Sequence, residues 1–180
     1  MPERQRVQRF EQAVMPHLSA VYNLARWLTG NDHDAQDMVQ EAYLRALQAF
    51  DGYRGGDARA WVLTIARNAC YTWLRQRGAG HLASSTGTDE VWENVAADPD
   101  GEPEARVLRQ ADGRLVRRAL EELPVEFREA FVLREVEGLS YKEIADVTDV
   151  PIGTVMSRLA RARRQLQRWL LRQMDDGRRR

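Results

Sequence analysis

The chain has almost no lysine, a single cysteine and no long apolar run, and each shortage removes a class of protein. Of its 27 basic residues only Lys142 is a lysine, so anions are met almost entirely by arginine. The planar guanidinium suits bidentate contact with phosphate or a guanine edge, although arginine-favouring codons of a GC-rich genome explain the bias equally well. Cys70 stands alone, which excludes an internal disulfide, and it is expected to pack as a small apolar residue. His17, His33 and His81 are scattered without metal-ligand spacing, so no metal site is expected. No stretch of about eighteen apolar residues can span a bilayer, and no signal-peptide core opens the chain. The expectation is a cytoplasmic protein without membrane insertion. A glycine-rich phosphate loop ending in Lys-Ser/Thr and a nucleophile motif are also missing, so neither enzymatic activity nor a cofactor is expected. Formal net charge is zero, which withholds the usual argument from a basic protein to nucleic acid and leaves charge distribution to carry it.

What is present is helical text. With 43% apolar and 30% charged residues the composition is that of a folding globular chain, and 180 residues allow one ordinary domain or two small ones. Phe10, Val14, Leu18, Val21, Leu24/Ala25 and Leu28 recur at three- or four-residue steps, which predicts one amphipathic helix. Thr29-Gly30-Asn31-Asp32 supplies a stop and a new cap. A second stripe follows in Ala35, Val39, Ala42, Ala46 and Phe50, then a glycine-rich break from Asp51 to Asp57. The third helix, from about Ala58 to Arg75, places Trp61/Val62, Ile65/Ala66, Ala69 and Trp73 inward.

Between Gly78 and Glu104 the periodicity fails. No basic residue occurs from Leu82 to Ala105, while seven acids do: Asp89, Glu90, Glu93, Asp98, Asp100, Glu102 and Glu104. A loop of that length is uncommon inside a compact domain and reads as an interdomain linker. The predicted organisation is therefore all-α: two small helical domains, 1–77 and 108–180, joined by a flexible acidic linker at 78–107.

The second domain carries the more informative pattern. Leu108, Leu115, Ala119 and Leu123 precede Pro124, and Phe127, Ala130/Phe131 and Val132 lead to Gly138, a helix-ending glycine. Ser140-Tyr141-Lys142-Glu143 is a capping box that opens a short helix with Ile144, Ala145 and Val147 inward. Asp149-Val150-Pro151 breaks it, and Thr154 is expected to cap a longer helix on Val155, Leu159, Ala162, Leu166 and Leu170. A capped helix, a tight turn and a second helix with a polar face make a helix-turn-helix. From Thr154 to the carboxyl end nine arginines stand against Asp175 and Asp176, a net of about seven positive charges concealed by the neutral total.

Residues 139–166, from Leu-Ser-Tyr-Lys-Glu-Ile-Ala-Asp through Arg-Ala-Arg-Arg-Gln-Leu, closely resemble the fourth conserved region of extracytoplasmic-function sigma factors. Asp34-Ala-Gln-Asp37-Met-Val-Gln40-Glu41 resembles the part of that family that grips core polymerase. Tyr53-Arg-Gly-Gly and Trp61-Val-Leu-Thr-Ile-Ala-Arg67-Asn68 resemble the part that opens the minus-ten element. The resemblance implies a promoter-recognition subunit whose partners are core RNA polymerase (beta and beta-prime subunits), promoter DNA and an anti-sigma factor. It assigns polymerase binding to Asp34, Asp37, Met38, Gln40 and Glu41, although Asp34 and Asp37 also suit a helix amino terminus on their own. Minus-ten binding falls to Tyr53, Arg54, Gly55, Gly56, Asp57, Arg67, Asn68, Tyr71 and Arg75. Minus-thirty-five binding falls to Thr154, Met156, Ser157, Arg158, Ala160, Arg161 and Arg164. The resemblance also implies that the acidic residues of 89–104 run through the polymerase channel, with a solvated tether as the plain alternative. Three positions depart from the family: Met156 replaces a cation, Thr72 an aspartate and Asp149 a turn glycine. A conventional helix-turn-helix regulator and a sigma-like decoy for an anti-sigma factor remain the competing functions.

Overall fold

A computed structural model of the chain describes residues 3–78 and 113–178, and every regular element among them is helical. Where the apolar periodicity predicts one helix from Phe10 to Leu28, α1 (Glu3–Val14) and α2 (Leu18–Thr29) are separated by a 3-10 turn over Met15–His17. Pro16 lies in that turn; it has no amide to donate and its ring collides with the carbonyl four residues back. The break resets the register, so Leu18 is 41% exposed while Val21, Leu24, Ala25 and Leu28 are buried.

Gly30, at φ +87°, closes α2 in the left-handed conformation, and Asn31 caps α3 (Asp32–Ala49) by accepting the Asp34 amide on Oδ1 at 2.9 Å. A short 3-10 turn, Phe50–Gly52, leads to the loop before α4 (Ala58–Gln76), which Asp57 caps through the Ala60 amide at 3.0 Å. Small buried residues line the packed faces: Ala35, Ala42 and Ala46 on α3, and Ala66 and Ala69 on α4. Cys70 is fully buried among them and free, as its isolation in the sequence suggested.

In the second half α5 (Gly113–Glu121) and α6 (Val125–Phe131) precede a π-helical turn, Val132–Val136, in which the Glu137 amide reaches the Val132 carbonyl at 3.0 Å. Gly138, at φ +68°, ends that segment. The capping box of α7 (Tyr141–Thr148) is complete, with the Glu143 amide on Ser140 Oγ at 3.2 Å and the Ser140 amide on Glu143 Oε2 at 2.6 Å. Asp149 takes the left-handed conformation at φ 54°, as an aspartate in a glycine's turn position must. Thr154 does not cap the last helix. α8 (Ile152–Arg178) starts three residues earlier than such a cap would allow, with the Pro151 carbonyl accepting from Thr154 and Val155 at 3.0 and 3.2 Å.

The two halves pack together. One apolar cluster joins the first half to Ala130, Leu133, Leu139, Ile144, Val155 and Leu159 of the second, with α4 against α7 and α2 against α6. Trp27 of α2 packs on a second cluster formed by Ala119, Leu120, Leu123, Phe131, Ala162 and Leu166. Apart from Gly78, the expected linker with its acidic channel segment lies outside the described residues, as does Leu108. No helix among the described residues is long and apolar enough to cross a membrane.

Candidate nucleic-acid interface

α8 is the longest helix, 27 residues and so about 40 Å, and its two faces differ sharply. Val155, Leu159, Ala162, Leu166 and Leu170 are buried against the domain. On the other face Ser157 and Arg161 are exposed, and Thr154, Met156, Arg158, Ala160 and Arg164 are half-buried. Ser157 Oγ donates to the Thr154 carbonyl at 3.0 Å, and the Arg161 guanidinium lies 5.9 Å from the Phe127 ring centroid. All of them but Arg164 lie in the first three turns, the part of a reader helix that reaches base edges in a major groove. Arg163, one position along, pairs with Glu135 at 2.9 Å.

The loop before α4 is held by its own aromatics. Tyr53 stacks on Phe50, with centroids 5.6 Å apart, and contacts Trp61 at 4.9 Å; its hydroxyl donates to the Gly56 carbonyl at 2.8 Å. Gly55 and Gly56, at φ +89° and +101°, use conformations open only to glycine without strain. Arg54 and Asp57 are exposed beside them, as are Asn68 and Arg75 on α4. Thr72, standing where the family has an aspartate, donates to the Asn68 carbonyl at 2.9 Å and accepts from Arg75 at 3.3 Å. Trp61 and Trp73 are both half-buried; Trp73 carries the Arg77 guanidinium 4.6 Å above its ring.

Arg67 and Tyr71 face elsewhere. Arg67 Nε donates to Glu129 Oε1 at 2.6 Å, and the Tyr71 hydroxyl donates to Glu129 Oε2 at 2.9 Å. The guanidinium lies 4.2 Å above the Tyr71 ring. Glu129, on α6, has no exposed surface. Burial pushes its carboxyl up from the usual range; Arg67 opposes that shift, and so does Arg158 from α8. Burial would lower Arg67, but the Glu129 carboxylate outweighs it and holds the guanidinium charged. Tyr71 is pushed well up, first by burial and then by Glu129, and burial drives the Cys70 thiol up to about 12. Glu129 has no place in the sequence reading, because between Arg128 and a run of apolar residues it scans as an ordinary surface charge.

On α3, Asp37 and Gln40 are exposed and Met38 and Glu41 half-buried, with Glu41 paired to Arg45 at 2.6 Å. Asp34 differs: it is 7% exposed, its carboxylate accepts from Asn31 Nδ2, and it lies 3.4 Å from Arg77. These contacts hold it at the start of α3. Beside the exposed α3 residues runs an open groove of about 610 Å³ bordered by Met15, Leu18, Tyr22, Val39 and Gln40. Met15 and Leu18 were not among the sequence candidates. Pro16 was the available signal, since the turn it imposes throws both outward.

Comparison with known proteins covers most of the chain. Residues 13–80 match the family model for sigma-70 region 2, and residues 113–166 match that for sigma-70 region 4. The ECF RNA polymerase sigma factor SigE of Mycolicibacterium smegmatis is 35% identical over 93% of this chain, which spans 63% of that relative's length. The ECF RNA polymerase sigma-E factor of Escherichia coli is 39% identical, with 72% of this chain and 70% of that one aligned. The RNA polymerase sigma-H factor of Pseudomonas aeruginosa is 35% identical across 92% of this chain and 91% of its own. Among solved structures, the sigma factor RpoE bound to the anti-sigma factor NepR from Bartonella quintana superposes with a TM-score of 0.68 at 30% identity, covering 91% of this chain and 97% of that one. CnrH bound to the cytosolic domain of CnrY gives 0.61 at 28% identity, covering 91% and 88%. With both regions in order and relatives aligned along most of their length, the chain belongs to the extracytoplasmic-function sigma factors of the sigma-70 family.

Proposed function

We propose that the chain is an alternative sigma factor that binds core RNA polymerase in the cytoplasm and directs initiation at a specific set of promoters. The observation that carries this is the pairing of two family regions, each with a polar face of the required chemistry, on one chain. Asp37, Met38, Gln40 and Glu41 form the polymerase-docking face, a mixture of carboxylate and apolar surface suited to a partly polar protein interface. The apolar groove at Met15 and Leu18 extends it.

Minus-ten recognition is assigned to the loop Tyr53–Asp57 and to Asn68 and Arg75, whereas Arg67 and Tyr71, which the sequence also offers, are held on Glu129. Adjacent left-handed glycines let backbone approach a flipped base closely, and an exposed Asn amide can read its edge. Minus-thirty-five recognition is assigned to Thr154, Met156, Ser157, Arg158, Ala160, Arg161 and Arg164. An arginine on guanine there contributes about 1–3 kcal/mol of discrimination, whereas phosphate contacts raise affinity without choosing sequence. The chain's own part is binding and strand opening; phosphodiester chemistry belongs to the polymerase. The solved neighbour RpoE of Bartonella quintana is bound to the anti-sigma factor NepR, which supports such a factor as the regulator of this chain.

Run-off transcription on fragmented genomic DNA tests the reading. Purified core enzyme plus the chain should give discrete promoter-specific transcripts; operator binding by the chain alone, with no such transcripts, would make it a conventional regulator instead.

A further inference from the structure

From Thr154 onward the chain carries nine arginines against two aspartates, yet one lane on the first turns of α8 holds no charge. Ile152, Met156 and Ala160 recur every fourth residue and so stand above one another, about 6 Å apart along the axis. Ile152 is 45% exposed and the other two are half-buried. None of the three belongs to either apolar cluster of the described residues. The lane therefore lies outside the core, beside the exposed Ser157 and Arg161 on the side assigned to the minus-thirty-five duplex.

We propose that Met156, flanked by Ala160, reads the methyl group of a thymine, so that the minus-thirty-five element of this chain contains an A·T pair recognised by apolar contact. The inference rests on the sigma-factor reading and specifies one base pair of its DNA target.

The major groove is lined by hydrogen-bond donors and acceptors, and its one apolar projection is the thymine C5 methyl. A methionine pressed against any other base edge strips water from polar groups and returns no hydrogen bond, whereas against that methyl both partners bury apolar surface. Met156 also has the reach, because its unbranched side chain has three rotatable bonds and a polarisable sulfur that settles on an irregular surface. Ala160, one turn on, is short enough to let the helix lie close in the groove. The neighbouring cations decide the occupant: Arg161 is exposed and Arg164 continues the same row, so the lane faces an anionic duplex and not the apolar surface of a protein. Arg161 and Met156 then read different chemistry, a guanine edge by hydrogen bonds and a thymine by its methyl.

The test uses holoenzyme assembled from core polymerase and the full-length chain. Duplexes with a randomised segment, too short to hold both promoter elements, are selected by binding, and each thymine of the enriched sequence is then exchanged for deoxyuridine, which removes only the methyl. At one thymine the exchange should weaken wild-type binding about fourfold, the effect of one buried carbon. Met156→Gln, of similar length, should bind both duplexes alike, and Met156→Leu should keep the difference. Selection repeated with Met156→Arg should replace that A·T pair by one that presents guanine. An enriched sequence without thymine, an exchange without effect at every thymine, or an equal effect in wild type and Met156→Gln overturns the methyl readout and leaves the sigma-factor reading intact. A pool that holoenzyme does not enrich also overturns the inference, and wild-type run-off transcription measured alongside then shows whether the sigma-factor reading falls with it.

Discussion

The α4 face and the α8 face are built from the same residue types and stand in opposite circumstances. Both present arginines at helical spacing, yet Arg67 is locked on a fully buried carboxylate whereas Arg161 is exposed on the outer face of its helix. An arginine's position in a motif therefore indicates what it can bind, and its tertiary surroundings decide whether that capacity is open. Arg75, two helical turns beyond Arg67, remains exposed because α6 does not cover it.

The largest effect separating the two faces should come from Arg67→Ala. It leaves Glu129 buried without its ion partner, so urea unfolding should show a loss of about 3–5 kcal/mol, while Arg75→Ala stays within about 0.5 kcal/mol. Equal costs for the two would erase the distinction between the inward and outward parts of α4.

Arg161→Ala reverses the pattern. Thermal unfolding should barely move, but holoenzyme binding to a cognate minus-thirty-five duplex should weaken by about 1–3 kcal/mol, read by competition against a scrambled duplex. Equal weakening on both duplexes would make Arg161 a phosphate contact.

Alkaline titration probes the interior of the first half, where Cys70 and Tyr43 both lie. Cys70, an acid whose folded value is raised to about 12, contributes stability that is complete below its unfolded value near 9 and is lost as pH rises through 12. Tyr43, raised by burial to about 12, moves the same way. At pH 10 the Cys70 contribution to that loss should be about 1 kcal/mol, measured by denaturant unfolding and absent in Cys70→Ala. An identical pH dependence in Cys70→Ala would show that the thiol plays no part.

Smallest in stability is Glu41→Ala. Its pair with Arg45 is about two-fifths exposed on each side, so folding should change by under about 0.5 kcal/mol, while affinity for core polymerase, measured by fluorescence anisotropy, should fall. A stability loss without an affinity loss would remove Glu41 from the docking face.

Much of the local structure was legible because short-range chemistry dictates it. Gly30 with Asn31, the Ser140–Glu143 box and Asp149 all act within four residues of themselves, and each does in the structure what its neighbours demand. Pro16 was equally local, but the surrounding apolar spacing masked it, and Leu18 was carried to the wrong face as a result. Thr154 yielded to Pro151, which starts α8 earlier.

The sequence by itself determined an all-helical chain, a helix-turn-helix and which cations the helices carry, since periodicity, caps and charge are properties of neighbours along the chain. Only the tertiary structure decided which of those cations are committed. Glu129 lies 62 residues from Arg67 and 58 from Tyr71, and nothing in a local window distinguishes it from a solvated glutamate. It becomes a buried partner because α4 and α6 meet, and the cost of burying a lone carboxylate then draws Arg67 and Tyr71 to it.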